Sequence, residues 1–338
     1  MKVIECVPNF SEGKREDVFL AMKDSLNGIK NCKLLNLEPD EDYNRVVVTL
    51  AGDETGILDG MIAISKSAAA NIDMTQHKGK HPRIGAIDVV PFIPIKNASM
   101  DDCIRISEAY AEYISESLNV PVYLYENSAR NPERKNLSDI RKGEYEGLEA
   151  KLKDPKWQPD YGKSIFNPKT GAIITGARFF LVAYNVNLKT TDIKFAKEIA
   201  EILRESGSLK KDANGKIIII NGESIREPGR LKNVKGMGVS LEKYKITQVS
   251  MNLTNYNITP IHLAFEEVRK EAGRRGIEIL GSEIVGLVPL EALIQAGLFY
   301  AAGKKLDEKS LVDLSIEKLG LSELNPFHKN EKIIDYMI

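Results

Sequence analysis

Two periodicities alternate along the chain. Residues 2–7 form a short apolar run that ends in the turn sequence Pro8-Asn9-Phe10-Ser11-Glu12-Gly13, which predicts a strand. Over residues 16–26 the period changes to that of a helix, with Val18, Phe19, Met22 and Leu26 on one face. Residues 32–37 and 45–50 read as two further strands, separated by the acidic turn 38–42. Ile57, Met61, Ile62, Ser65 and Ala69 mark a second helix, and residues 84–95 are another extended segment. The order is β-α-β-β-α-β, extended by a helix over 101–117 and a strand over 122–125.

The second half repeats that order. A strongly apolar strand over 177–187 leads into a helix over 192–204, where Ile193, Ala196, Ile199 and Ile202 recur at near-helical spacing. Strands over 234–241 and 248–254, a helix over 261–272 and a strand over 278–287 follow, and a helix over 290–301 parallels the extra helix of the first half. The pattern predicts an α/β (α+β) protein of two tandem ferredoxin-like units, with mixed or antiparallel sheets and helices on one face. A single doubly wound sheet is the alternative, and the paired middle strands argue against it. The expected domains are residues 1–176 and 177–338. Between the repeats, residues 130–175 are rich in charge, Gly and Pro and carry the only tryptophan, Trp157. The segment is too long for a simple linker, so a site between the two domains, walled by this segment, is expected. Residues 211–226 read as a hairpin inserted in the second unit, with a strand over 216–221.

A length of 338 residues agrees with two domains. The near balance of 47 Lys+Arg against 48 Asp+Glu argues against a polyanion binder working through bulk charge, while leaving room for a local basic cleft. No apolar run approaches the roughly 20 residues of a membrane helix, and the N-terminal apolar stretch is too short for a signal peptide. Cys6, Cys32 and Cys103 are widely spaced and form no C-x-x-C pair, which fits a reducing, cytoplasmic setting.

The densest polar chemistry is Gln76-His77-Lys78-Gly79-Lys80-His81-Pro82-Arg83-Ile84-Gly85. Pro82 holds the His81 backbone extended, and Lys78, Lys80 and Arg83 surround the imidazoles with positive charge, which favours the neutral ring that a general base needs. A solvated basic loop between a helix and a strand is the plainer reading. A metal is not expected: Gly79 and Pro82 oppose the helix on which a four-residue histidine spacing suits zinc, and no third ligand is evident. There is no nucleophile elbow or phosphate loop either. His262 opens an amphipathic helix, where a surface or capping role is expected, and His328 lies in a polar tail. Residues 163–171, Lys-Ser-Ile-Phe-Asn-Pro-Lys-Thr-Gly, fit an ordinary turn or a ligand loop equally well. Asn9, His77, Lys80 and Arg83 are substrate-cleft candidates.

Longer stretches carry a resemblance. Glu5-Cys6-Val7-Pro8-Asn9-Phe10-Ser11-Glu12-Gly13, the histidine loop running on into Ala86-Ile87-Asp88-Val89-Val90-Pro91-Phe92-Ile93-Pro94, Pro121-Val122-Tyr123-Leu124-Tyr125, Gly143-Glu144-Tyr145-Glu146 and Val285-Gly286-Leu287-Val288-Pro289-Leu290 resemble the glutamate formiminotransferase family. That family is the transferase half of the formiminotransferase–cyclodeaminase enzymes, and the resemblance spans residues 3–336. It implies two ferredoxin-like subdomains and transfer of a formimino group from N-formimino-L-glutamate to tetrahydrofolate, giving 5-formiminotetrahydrofolate and glutamate in histidine breakdown. Tetrahydrofolate is then a co-substrate, and no metal or prosthetic group is called for. The family's catalytic histidine matches His81. Its folate-binding stretch matches Gly162, Lys163, Ser164, Ile165, Phe166, Asn167, Pro168, Lys169, Thr170 and Gly171, an assignment that rests on the resemblance alone. The family also implies a homodimer. The cyclodeaminase region is not matched and is expected on a separate chain, and the 211–226 hairpin looks inserted relative to the family pattern. Two other readings remain at this stage. One is a relative that handles 5-formyltetrahydrofolate or only binds folate. The other, RNA binding on a ferredoxin-like sheet, lacks the aromatic strand signature and the basic charge.

Overall fold

The computed structural model describes residues 2–210, 212, 214–220 and 222–338, with every side chain but that of Glu223. Two compact units result, one reaching to Phe179 and the other covering Phe180–Met337.

In the first unit, β1 (Val3–Cys6) and β2 (Asn9–Phe10) are two pieces of one bent path. They are followed by α1 (Glu16–Asp24), β3 (Cys32–Asp40), β4 (Arg45–Gly52), α2 (Glu54–Asn71) and β5 (Ile87–Lys96). Strand pairing runs β3–β4–β1/β2–β5, all antiparallel, which is the ferredoxin-like arrangement. Capping defines the helix ends. Asp53 accepts from Gly56 N at the start of α2, and Ser99 and Asp102 form a reciprocal box at the start of α3 (Met100–Leu118). Val18, Phe19 and Met22 of α1, Ile57, Met61 and Ile64 of α2, and Ile106, Tyr110 and Ile114 of α3 bury against one sheet face. Each of these large side chains contributes about 1.5–3 kcal/mol by leaving water.

The segment read as a long linker enlarges this sheet. After β6 (Val122–Glu126) come α4 (Leu137–Arg141) and α5 (Glu144–Lys153), then β7 (Ile173–Ala177). β7 inserts between β5 and β6 and is parallel to both. Alternation along these strands supplies two cores. Val122, Leu124 and Ile173 join the α1–α3 side, whereas Tyr123, Tyr125 and Ile174 meet Ile140 of α4 and Leu148 and Leu152 of α5. The one-face arrangement thus describes the βαββαβ core, and α4 and α5 add a layer on the opposite side.

The second unit contains β8 (Val182–Leu188), α6 (Ile193–Leu203), the two-residue strands β9 (Ser208–Leu209), β10 (Ile219–Ile220), β11 (Glu223–Ser224) and β12 (Arg226–Glu227), β13 (Val234–Leu241), β14 (Ile246–Leu253), α7 (Ile261–Arg274) and β15 (Ile279–Val285). Helices α8 (Leu290–Ala301) and α9 (Glu308–Leu319) follow. The order β13–β14–β8–β15 matches that of the first unit's core. Of the strand expected over 216–221 only Ile219–Ile220 is regular, as β10 paired with β11; β9, just before the 211–226 hairpin, pairs with β12, and Lys211, Ala213 and Asn221 lie outside the described residues.

Two sequence expectations change. The apolar run over 177–187 is not one strand: Ala177 ends β7, paired with Phe92 and Glu126, and β8 begins only at Val182. The extended segment expected from residue 84 starts its regular pairing at Ile87, because Gly85 forms an isolated bridge to Gly171 and Ile84 N donates to Asp88 Oδ1 at 3.0 Å. Among the described residues, no helix is long and apolar enough to cross a membrane.

Candidate active site

The histidine loop, residues 72–86, joins α2 to β5 and is held on three sides. Ser11, just after β2, accepts nothing from it but donates, its Oγ to Gly85 O at 2.7 Å and its N to Ala86 O at 3.0 Å. The tip of the β3–β4 hairpin supplies Asn44, whose φ of 49° turns the chain sharply. Asn44 Nδ2 donates to Lys78 O at 2.8 Å, and its Oδ1 accepts from Gly13 N at 2.9 Å. The third side is the segment 162–171. Ala86 N donates to Thr170 O, Ala172 N to Ile84 O and Met74 N to Lys169 O, at 2.8, 3.0 and 2.9 Å. Only glycines permit this approach: a Cβ on Gly85 would lie 2.2 Å from Ala172 O, and one on Gly171, at φ 73°, 2.3 Å from Ile84 O.

The two loop histidines have different environments. His77 uses both ring nitrogens. Nδ1 accepts from Arg83 Nε at 3.3 Å, so Nε2 carries the proton and donates to Asn44 O at 2.9 Å. Burial also holds its pKa below the ordinary histidine value. His77 therefore fastens the loop to the hairpin. His81 is half-buried, and no hydrogen bond from a described residue reaches its ring. Its pKa is lowered to about 4, first by burial and then by the charges of Arg141, Arg45 and Arg83, with Asp40 opposing. The ring is neutral at physiological pH. The lysines Lys78 and Lys80 of its own loop are exposed, and the three charges that act most on it come from arginines, two of them distant in sequence.

Arg83 is buried and fully engaged. Nη1 donates to Glu144 Oε2 and Glu146 Oε2 at 2.9 and 3.0 Å, and Nη2 to Glu146 Oε1 at 2.6 Å, while Tyr145 N donates to Arg83 O at 2.8 Å. Asp88, wholly buried in β5, pairs with Arg141 of α4. A cavity of ≈ 440 Å³ opens beside Arg83, lined by His77, Lys78, Gly79, Glu144 and Glu146. A second, ≈ 310 Å³, lies on the other side of His77 among Ser11, Glu12, Arg15 and Asn44.

Segment 162–171 spends several of its polar groups on structure. Ser164 Oγ donates to Leu152 O at 2.6 Å, Lys169 Nζ to Ala70 O at 2.9 Å, and Asn167 Oδ1 accepts from Thr170 N at 3.1 Å. Phe166 meets Tyr145 with ring centroids 5.5 Å apart, and the Tyr145 hydroxyl donates to Pro168 O at 2.5 Å. Gly162, Lys163 and Ile165 are exposed. Asn9 is in a strand rather than a turn, and its Oδ1 accepts a long, 3.5 Å bond from Arg45 Nη1.

Arg45, Asp88 and Arg141 were not singled out by reading the sequence. Asp88 had a signal, a carboxylate inside the apolar run 84–95, since unpaired buried acids are rare. Arg45 opens a strand after an acidic turn, and Arg141 sits in a segment full of charge, so neither stood out. Glu144 and Glu146 were visible only as part of the Gly-Glu-Tyr-Glu stretch.

The fold and this loop define a class: an α/β protein of two tandem ferredoxin-like units, with a neutral histidine among arginines on a loop of the first unit that is fused to the segment leading into β7. Residues 3–178 match the N-terminal subdomain of the formiminotransferase domain and residues 183–338 match the formiminotransferase domain, so the chain belongs to the formiminotransferase family. It is 45% identical, over its whole length, to a formimidoyltransferase-cyclodeaminase of Dictyostelium discoideum, of which it spans only 60%. It is 41% identical to a glutamate formimidoyltransferase of Streptococcus pyogenes serotype M1, covering 90% of this chain and 95% of that one. A protein of the same name from Thermoplasma acidophilum is 40% identical, with 94% and 98% covered.

Proposed function

We propose that the chain transfers the formimino group of N-formimino-L-glutamate to N5 of tetrahydrofolate, with His81 as the proton carrier. The observation that carries this reading is the neutral, unbonded imidazole of His81, ringed by arginines and tied through its loop to segment 162–171. Family membership and the two relatives named glutamate formimidoyltransferase, each matched over at least 95% of its length, support the reaction. N5 attacks the formimino carbon, and His81 takes the N5 proton as the tetrahedral intermediate forms. The imidazolium then returns that proton to the departing glutamate nitrogen, so charge and protons balance over the cycle. Such transfers contribute about 10²–10⁴-fold, and alignment of two bound substrates supplies much of the rest. A pKa near 4 makes the free ring a weak base. The anionic donor offsets the surrounding guanidinium charge and so raises the ring toward the range in which it exchanges protons. Segment 162–171, with the Phe166–Tyr145 pair and exposed Lys163, is the folate-binding element in this reading.

The test incubates purified protein with N-formimino-L-glutamate and tetrahydrofolate and follows 5-formiminotetrahydrofolate. Turnover is expected. Folded protein that binds folate yet works only on a 5-formyl donor, or on neither, overturns the proposal. Light scattering on the same sample reads the homodimer we also propose.

A further inference from the structure

Arg45 carries an unexplained pattern of hydrogen-bonding groups. Its Nε is shut off from solvent and has no hydrogen-bond partner, and its one bond is the 3.5 Å contact from Nη1 to Asn9 Oδ1. Arg141 shares the buried, unpartnered Nε, but the other two guanidiniums near His81 have carboxylates: Arg83 is bidentate with Glu146, and Arg141 is paired with Asp88. Among the described residues Arg45 forms no ion pair. Its local neighbours do not take up the fork: Arg45 stands opposite Asp40 across the β3–β4 pair without an ion pair, and the centroid of the Tyr43 ring lies 5.9 Å from its guanidinium carbon. With Nε closed off, the weakly bonded Nη1 and the Nη2 beside it form the edge on which a guanidinium takes a carboxylate through two parallel N–H groups. The hairpin tip that carries it is fixed to the histidine loop by Asn44, and Gly79 packs so closely there that a Cβ would lie 2.5 Å from Tyr43 O.

We propose that Arg45, with Asn9 beside it, binds a carboxylate of the formimino donor and sets that substrate's position against His81. The inference rests on the reaction proposed above. The donor is favoured over the glutamyl tail of folate on chemical grounds. The α-carboxyl carbon of the donor is two bonds from the nitrogen that His81 protonates. The carboxylates of the folate tail lie beyond the p-aminobenzoyl group from N5. An anion site adjoining the proton carrier therefore fits the donor.

Arg45→Gln and Arg45→Lys test this. In Arg45→Gln the KM for N-formimino-L-glutamate is expected to rise at least tenfold while the KM for tetrahydrofolate stays within twofold. Arg45→Lys falls between, because an ammonium keeps the charge and loses the fork. Melting temperatures of both variants check folding, and the lysine variant carries the test if the glutamine variant does not fold. Calorimetry with L-glutamate and with 4-aminobutyrate, the same chain without the α-carboxylate, gives a readout independent of turnover. Wild-type protein is expected to prefer L-glutamate, and Arg45→Gln to lose that preference. A rise in KM confined to tetrahydrofolate assigns the carboxylate to folate and overturns the proposal, as do unchanged constants for both substrates. Wild-type protein that fails to turn over the donor overturns the reaction itself, a separate result.

Discussion

In the first unit the connection after the second core helix runs over residues 72–86, and in the second unit the equivalent connection is only residues 275–278. Both enter the same antiparallel order of four strands. The longer loop carries both loop histidines, pairs with segment 162–171 and packs on the hairpin tip. The shorter one returns α7 to the sheet with no room for such a layer. One scaffold is thus repeated, and the proposed chemistry falls where a single connection lengthens.

The sharpest way to break this comparison uses one histidine from each unit. His81→Ala is expected to lower kcat by 10²-fold or more, in line with the ~10²–10⁴-fold typical of a proton carrier, with folate affinity kept. His262→Ala, at the start of α7, is expected to leave kcat within twofold. His262 stacks on Phe299 at 4.5 Å, so the change costs roughly 0.5–1.5 kcal/mol of stability instead. Steady-state rates and melting curves of the two variants decide it. Equal losses of activity would remove the distinction between the units.

A second pair compares buried carboxylates. Asp88 holds Arg141 and the Ile84 amide in the first unit, and Glu271 holds Arg230, Arg274 and Arg275 in the second. Stranding a buried charge costs about 3–5 kcal/mol, so Asp88→Ala should lower the melting point by roughly 2–4 °C per kcal/mol for a domain of this size, and Glu271→Ala should lower it less, because Arg230 and Arg274 reach solvent and Arg230 keeps Glu267. Only Asp88→Ala is expected to cut kcat as well, by about tenfold, because it frees the strand entry beside His81. Denaturant curves and rates on the same samples separate the two effects.

Two smaller effects follow from protonation. The pKa of His81 is lowered to about 4, so in the proposed role, where the neutral ring accepts the proton, kcat/KM is expected to fall only as pH drops toward 4. The stability that this ring contributes is complete above the ordinary histidine value and is lost as pH falls toward 4. Arg45→Gln removes one repelling charge, so its imidazole titration, followed by NMR, is expected to move upward. Glu5 in β1 behaves in the opposite sense: full burial raises its pKa to about 8, with Arg178 opposing. It stays protonated at neutral pH, and its unfavourable ionisation erodes stability as pH rises from the ordinary carboxylate range toward 8. Glu5→Gln should therefore melt a few degrees above wild type at pH 9 and close to it at pH 5.

The core was legible in the sequence because helix and strand periods are local. Val18, Phe19 and Met22 are enough to orient α1, and the paired strands β3 and β4 announce themselves across one acidic turn. The site was half legible. Gly79, Pro82 and the clustered charge pointed to the histidine loop, but Arg45 and Arg141 reach His81 only after the sheet has formed, and no local pattern encodes that. The break between Ala177 and Val182 was hidden because the run on both sides is apolar, and only the pairing of β7 with β5 and β6 decides where a strand stops.

β7 has a consequence for how the chain is made. It is the last strand of its unit to emerge from a ribosome, yet it occupies an interior place between β5 and β6, and among the described residues β6 pairs with no other strand. Until residues 173–177 arrive, the nascent chain presents an open apolar edge on β5 and leaves β6 undocked. Parallel pairings of this kind form late, because distant segments must meet first. A nascent or truncated chain ending before residue 173 would therefore display an edge suited to pairing with a second chain, and this is the stage of its life at which the protein is most prone to aggregate.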